Sequence, residues 1–267
     1  MEADAALRGG IALGVLGLVL AWETLAPARV RALPRLARWP SIAGLALLNA
    51  GLARLIAPAG LAAVALWADG QGIGLFHLVE APVWLATAAS ILVLDLAVWA
   101  QHRLSHAVPI LWRLHRVHHA DPDVDALTAL RFHPVEIGLS LVWKGAVVLA
   151  LGAPAVAVLA FEALLNASAL FNHANARLPA PVERIARLAI VTPDLHRVHH
   201  SPDRIETDRN FGFLLSVWDR LFGVFRPARA QPDGPLGLDV FRTGPDQRLD
   251  ALLLQPLKSA MVPPSAG

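Results

Sequence analysis

The hexapeptide Leu-His-Arg-Val-His-His occurs twice in this chain, at 114–119 and at 195–200, and a further pair, His102 and His106, precedes the first copy. These clusters hold eight of the 11 histidines. On a helix, residues three and four apart share a face. His102 and His106 are i and i+4; His115, His118 and His119 are i, i+3 and i+4, and His196, His199 and His200 repeat that spacing. Each cluster is therefore expected to aim its imidazoles at one point. Imidazole suits iron, zinc, copper and nickel. Eight ring nitrogens exceed what one octahedral ion takes, so the pattern implies two ions. Without metal, such a cluster would repel itself when protonated and need many hydrogen-bond partners when neutral.

Further donors follow from position. His173, in Phe171-Asn172-His173-Ala174-Asn175, stands at the end of an apolar segment on the side where the clusters lie and is expected as a ligand. His133, before Pro134, is either a ligand or outer partner of one, or a residue that starts a helix. His77 stands alone and reads as an ordinary polar group. Ligating imidazoles usually donate their other N–H to a carboxylate or carbonyl. The candidates are Asp95, Asp121, Asp123, Glu136, Asp194 and Asp203. Asp95 lies two helical turns before His102 at a depth where charge is expensive; its alternative role is a hydrogen-bonded packing residue.

The elements that must position these groups are apolar. The 267 residues are 55% hydrophobic and 16% charged, with a mean hydropathy of +0.51. A soluble domain carries about 25% charged residues, so lipid is expected as part of the solvent. There is no cysteine, which excludes disulfides, thiolate metal sites and cysteine nucleophiles. The net charge is only +2, and the basic residues form no nucleic-acid-reading motif, so no nucleic-acid partner is expected.

Residues 9–28 form a first apolar segment, read as an uncleaved anchor because Met-Glu-Ala-Asp is not a basic leader. Residues 41–68 are long for one span and imply a kinked helix or two pieces, and 83–101 is the clearest span, ending at His102. Segments 134–151 and 154–171, joined at Gly152-Ala153-Pro154, read as a helical hairpin that brings Lys144 to Glu162, where the two are expected to pair. Arg29, Arg31, Arg35 and Arg38 mark the first loop as cytoplasmic. Counting spans from there places every histidine cluster on that face. The expectation is an all-α integral membrane bundle of four to five apolar segments with a cytosolic histidine-rich cap. Its divisions are N-terminal anchor segments (1–82), a metal-binding domain (83–226) and a Pro/Gly-rich tail (227–267) with one amphipathic helix near 246–254.

The order His-x3-His, His-x2-His-His, a lone histidine after a hydrophobic hairpin and His-x2-His-His resembles the fatty acid hydroxylase / sterol desaturase superfamily. Asn210-Phe211-Gly212 followed by Trp218-Asp219-Arg220-Leu221-Phe222-Gly223 resembles its closing motif. The resemblance spans about 83–226. It implies a membrane-embedded non-haem di-iron oxygenase in lipid biosynthesis, with His102, His106, His115, His118, His119, His196, His199 and His200 in ligand positions and His173 as the intervening histidine. Some members carry another histidine four residues later, where this chain has Arg177.

The implied reaction is hydroxylation or desaturation of a lipid C–H bond with O2 as co-substrate. Such a bond offers no acidity to a side-chain base, so metal chemistry must supply the oxidant. No dinucleotide or flavin motif is visible, so electrons are expected from a ferredoxin or b-type cytochrome with its reductase. Arg184, Arg187 and Arg204 are candidate docking residues, with a solvated surface as the alternative. The rival readings are a membrane zinc hydrolase, with zinc as the alternative metal, and a non-catalytic metal-binding membrane protein. The first lacks His-Glu-x-x-His and has too many ligands for a three-ligand zinc site.

Overall fold

The computed structural model describes residues 2–231 and 233–259, with side chains from residue 10 onward, Ile11 excepted. Pro232 and the part of the tail from 260 on lie outside the described residues. Among the described residues every regular element is helical, as expected, and only isolated bridges, Pro27 to Ala176 and Ile190 to Leu215, pair extended backbone. In chain order the helices are α1 (Glu2–Leu25), α2 (Arg35–Ile56), α3 (Leu61–Gly70), α4 (Leu75–Leu78), α5 (Val83–Ala107), α6 (Pro109–His119), α7 (Pro134–Leu151), α8 (Ala155–Asn172), α9 (Ala180–Ala186), α10 (Pro193–His199), α11 (Arg204–Thr207), α12 (Val217–Leu221) and α13 (Leu249–Leu254).

Four segments are long and apolar enough to cross a membrane: Arg35–Leu78, Val83–Ala107, Pro134–Leu151 and Ala155–Asn172, with Ala12–Leu25 a shorter apolar helix. Their outer faces carry exposed Leu47, Leu55, Trp84 and Val142, as lipid contact requires. The second apolar stretch resolves into α2 and α3, separated at Gly60, whose φ of +79° ends helical continuity. The third does not stop at His102: α5 runs on to Ala107 and holds both His102 and His106.

The hairpin forms as read. Gly152 closes α7 in the left-handed conformation (φ +65°, ψ +44°), and Pro154 precedes α8. The pairing expected across it does not form as a contact. Glu162 acts electrostatically on Lys144, but no ion pair within 4.0 Å to that ammonium occurs among the described residues. Lys144 opens on a cavity described below.

One core joins Leu61 and Ala65 of α3 to Leu94 and Val98 of α5, Val148 of α7, and Val158 and Phe161 of α8. The N-terminal segments thus pack into the same body as the histidine-bearing helices. The tail is packed too. Leu252 is buried with Leu45 and Val117, and the Arg116 guanidinium donates to the Gln255 and Lys258 carbonyls. The helix expected near 246–254 is split into a 3-10 turn, Gly244–Gln247, and α13, because Arg248 between them is extended (φ −69°, ψ 148°).

The arginine-rich loop before α2 meets the histidine side of the molecule, since the Ala32 and Leu33 N–H groups donate to Asp123. Its charges are largely used internally. Arg38 is fully buried against Asp121 and Asp125, and Arg35 pairs with Glu23.

Candidate metal centre

The two hexapeptides sit on short helices started the same way. Pro109 and Pro193 occupy the first turn of α6 and α10, where a missing N–H costs nothing. Thr192 adds a side-chain cap, accepting from Leu195 N–H. Both helices end in histidine, three residues before Pro122 and Pro202 respectively.

All nine expected histidines come together, in two buried groups. His102, His106, His115, His119 and His199 form one, and His118, His173, His196 and His200 form the other; within each, the candidate ligand atoms lie within 4.8 Å of one another. The groups are contiguous: the His119 and His200 rings stack at 4.6 Å, and the His196 and His199 rings lie 5.3 Å apart. This corrects the expectation that each triplet converges on a single point. His115 and His119 serve the first group while His118 of the same helix serves the second; His196 and His200 serve the second while His199 serves the first. Successive helical residues are rotated by about 100°, so adjacent histidines must diverge. Each short helix lies between the groups and supplies both.

Hydrogen bonds on the outer nitrogens fix which way the lone pairs face. Nδ1–H donates from His102 to the Phe211 carbonyl (2.7 Å), from His106 to Asp208 (3.1 Å), from His115 to Glu136 (2.6 Å), from His199 to the Arg209 carbonyl (2.8 Å) and from His173 to the Ala169 carbonyl (2.7 Å). The proton therefore sits on Nδ1 and the Nε2 lone pair points inward. Nε2 of His102, His115 and His199 is buried with no partner. Elsewhere Nε2 atoms face one another, His106 with His119 at 3.1 Å and His173 with His118 at 3.1 Å and with His196 at 3.0 Å. With its proton on Nδ1, His173 offers one Nε2 lone pair to two neighbouring Nε2 atoms, a crowding of nitrogens that a cation among them would relieve. The donor set, wholly imidazole in both groups, fits two first-row transition ions.

Outside the spans, burial first and the neighbouring imidazoles second hold His118, His119 and His196 well below the ordinary histidine range. The same direction holds for His199 and His200 through burial, and burial takes His173 down to about 4. These rings are neutral at physiological pH, the form that binds metal.

The remaining sequence candidates take other places. His133 lies in neither group: its Nδ1 accepts from Val135 N–H at the start of α7 and its other nitrogen contacts the Leu253 carbonyl. Asp95 accepts from the Trp218 indole at 2.8 Å and Leu215 N–H, joining α5 to the closing motif. Asp194 pairs with Arg197 and Arg177. Asp121 holds Arg38 and Thr128; burial pushes its carboxyl up, but Arg38 and Arg131 outweigh this and leave it below the usual range. Asp203 caps α11. His77 lies 3.5 Å from Asp69, apart from both groups. Of the arginines considered for docking, Arg187 pairs with Glu183, and Arg204 pairs with Asp208 and stacks on Trp112.

Sequence reasoning missed Asp208 and the three carbonyl partners. Asp208 carries a weak signal, a carboxylate between the second hexapeptide and Asn210; the carbonyls carry none. The closing motif acquires a structural meaning. Asn210, at φ +54°, donates to the Leu195 and Arg226 carbonyls and accepts from Arg226 N–H. Asp219 accepts from Phe211 N–H, Gly212 N–H and the Trp99 indole. Together they hold the Phe211 carbonyl against His102. A Cβ on Gly212 would meet the Leu215 carbonyl at 2.6 Å, so the clamp needs glycine there.

A cavity of about 270 Å³ runs from His102 and His115 down between the spanning helices to Lys144, Leu165 and Asn166. Apolar Ala46, Phe132, Ala169 and Phe213 form much of its wall.

The chain is 29% identical over 164 residues to ornithine lipid hydroxylase of Rhizobium tropici, a match covering 61% of this chain and 47% of that protein. It is 30% identical over 129 residues to human alkylglycerol monooxygenase (46% of this chain, 27% of that protein) and 30% identical over 158 residues to the zebrafish (Danio rerio) enzyme of that name (57% and 33%). The chain spans less than half the length of these curated relatives. No solved structure matches it. The fatty acid hydroxylase profile matches residues 87–224, a stretch that contains all nine clustered histidines, the hairpin and the closing motif and is just over half of the chain; the protein belongs to the fatty acid hydroxylase family.

Proposed function

We propose that the protein is an O2-dependent non-haem di-iron oxidoreductase that hydroxylates, or desaturates, a C–H bond of a membrane lipid. The observation that carries this reading is the pair of contiguous buried imidazole groups, lone pairs inward, at the end of a cavity between apolar helices. Names of the relatives support a lipid substrate and insertion of oxygen. A bound iron pair would supply reduction of O2 and cleavage of an unactivated C–H bond, which no side chain here can do.

The chain's own contribution is positioning and exclusion. His102, His106, His115, His119 and His199 would hold one ion and His118, His173, His196 and His200 the other. Glu136 and Asp208 orient His115 and His106 and raise their basicity, and the Phe211 carbonyl orients His102. Burial of all nine rings keeps bulk water away. The cavity delivers a lipid segment from the bilayer to His102 and His115. Electrons come from a separate ferredoxin or b-type cytochrome with its reductase. Arg29, Arg31, Arg35 and Arg38 favour the cytoplasmic face for the histidine groups.

Anaerobic loading of the purified chain followed by metal analysis tests the centre: two irons per chain are expected, and one zinc with no iron uptake refutes it. Lipid profiling of cells with the intact chain and with His118→Ala tests the reaction. A lipid gaining one oxygen or losing two hydrogens only with the intact chain is expected; identical profiles at verified expression refute the enzymatic reading.

A further inference from the structure

Helix α7 presents Glu136, Ser140 and Lys144 to the cavity at successive intervals of four residues, a polar stripe on one face of a membrane-spanning helix. Glu136 is accounted for by His115. Ser140 and Lys144 are not. An ammonium at this depth is expensive unless something meets it. No hydrogen bond or close ion pair of Lys144 occurs among the described residues, and Glu162 reaches it only as a more distant charge. Its three N–H donors are left for whatever fills the cavity. Asn166 of α8 lines the same cavity and is exposed. A plain hydrocarbon chain would pass this stripe without satisfying any of it.

We propose that Lys144, with Ser140 and Asn166 beside it, binds an oxygen anion of the substrate, a carboxylate or a phosphate, so that the cavity selects acidic lipids over neutral ones. The inference rests on the reading of the cavity as the lipid site and deepens it. Lys144 lies two helical turns, roughly 12 Å of rise, beyond Glu136 along α7. Holding the anion there sets which carbon of the chain reaches His102 and His115, so Lys144 acts as a specificity-determining residue and as a ruler.

The test is equilibrium binding to the metal-loaded full chain in a neutral sugar detergent, with no turnover. The probes are hexadecanoate, hexadecyl phosphate and hexadecanol. At least one anionic probe is expected to bind the wild-type chain about tenfold more tightly than hexadecanol, as a charge-assisted hydrogen bond in a dry site would give. Which of the two does so separates a carboxylate from a phosphate substrate. K144M is expected to abolish that preference, and K144R to retain it. K144Q, which keeps polarity without charge, gives the same reading if K144M does not fold. Equal binding of all three probes by the wild-type chain, or a preference that survives in K144M or K144Q, overturns the proposal. Because binding is read without reaction, failure of the oxygenase reading shows in metal uptake and lipid profiles instead.

Discussion

Replacing Glu136 by glutamine would change one charge and almost nothing in shape. Its carboxylate accepts from His115 Nδ1 at 2.6 Å, and the side chain is only 10% exposed, so solvent screens the interaction little. A hydrogen bond to a charged group contributes about 1.5–3 kcal/mol and a neutral one about 0.5–1.5 kcal/mol. The difference, about 1–1.5 kcal/mol, corresponds to about a tenfold change in an equilibrium constant. Glu136→Gln is therefore expected to weaken metal binding at the five-histidine group about tenfold. Glu136→Ala, which leaves the ring N–H unpaired, should approach about a hundredfold, within the range seen for outer partners of metal ligands. Anaerobic competition with a graded chelator measures this directly, with metal-free melting as the control for folding. The metal-free glutamine variant should melt nearly as the parent does, since the amide oxygen still accepts. Retention of both ions by Glu136→Ala at parental affinity would refute the assignment of His115 as a ligand held by Glu136.

Arg38→Met removes the cation from a buried network with Asp121 and Asp125 and should cost about 3–5 kcal/mol of stability, read from chemical denaturation in detergent. Asn210→Ala leaves the Leu195 and Arg226 carbonyls without their donor and keeps a left-handed backbone. A loss of about 2–3 kcal/mol is expected, with weakened metal binding through the Phe211 clamp, both read by metal-dependent melting. Acid should destabilise the metal-free chain. His173 is held down to about 4 by burial while an unfolded histidine titrates near 6.5, so between those values the unfolded state binds more protons and stability falls as pH falls. The buried His118, His119, His196, His199 and His200 are displaced in the same direction and steepen the loss. A melting temperature that stays level from neutral pH down to about 5 would contradict the buried, neutral state of these rings.

The class of the fold and the identity of the donors were legible because both are written in local periodicity. Apolar runs bounded by proline and glycine predict α5, α7 and α8, and Gly152 at its left-handed turn predicts the hairpin. The recurrence of His-Arg-Val-His-His predicts metal. What local spacing misses is partnership across the chain. Asp95 looks like a ligand's neighbour by its register on α5, yet Trp218, far along the chain, claims its carboxylate. Lys144 and Glu162 face each other in a flat drawing of the hairpin, yet the bundle leaves the lysine on the cavity. His133 reads equally as ligand or cap until α7 and the tail take both its nitrogens.

The sequence by itself determined that this is a helical, lipid-facing chain carrying nine imidazoles able to meet, because helix period and hydropathy are properties of neighbouring residues. Only the tertiary structure decided how those imidazoles divide. Adjacent histidines on α6 and α10 diverge around the helix, so each helix serves two groups, and carbonyls and carboxylates from distant segments turn the ring nitrogens inward. That division depends on where α6 and α10 lie relative to α5 and α8, which long-range packing sets.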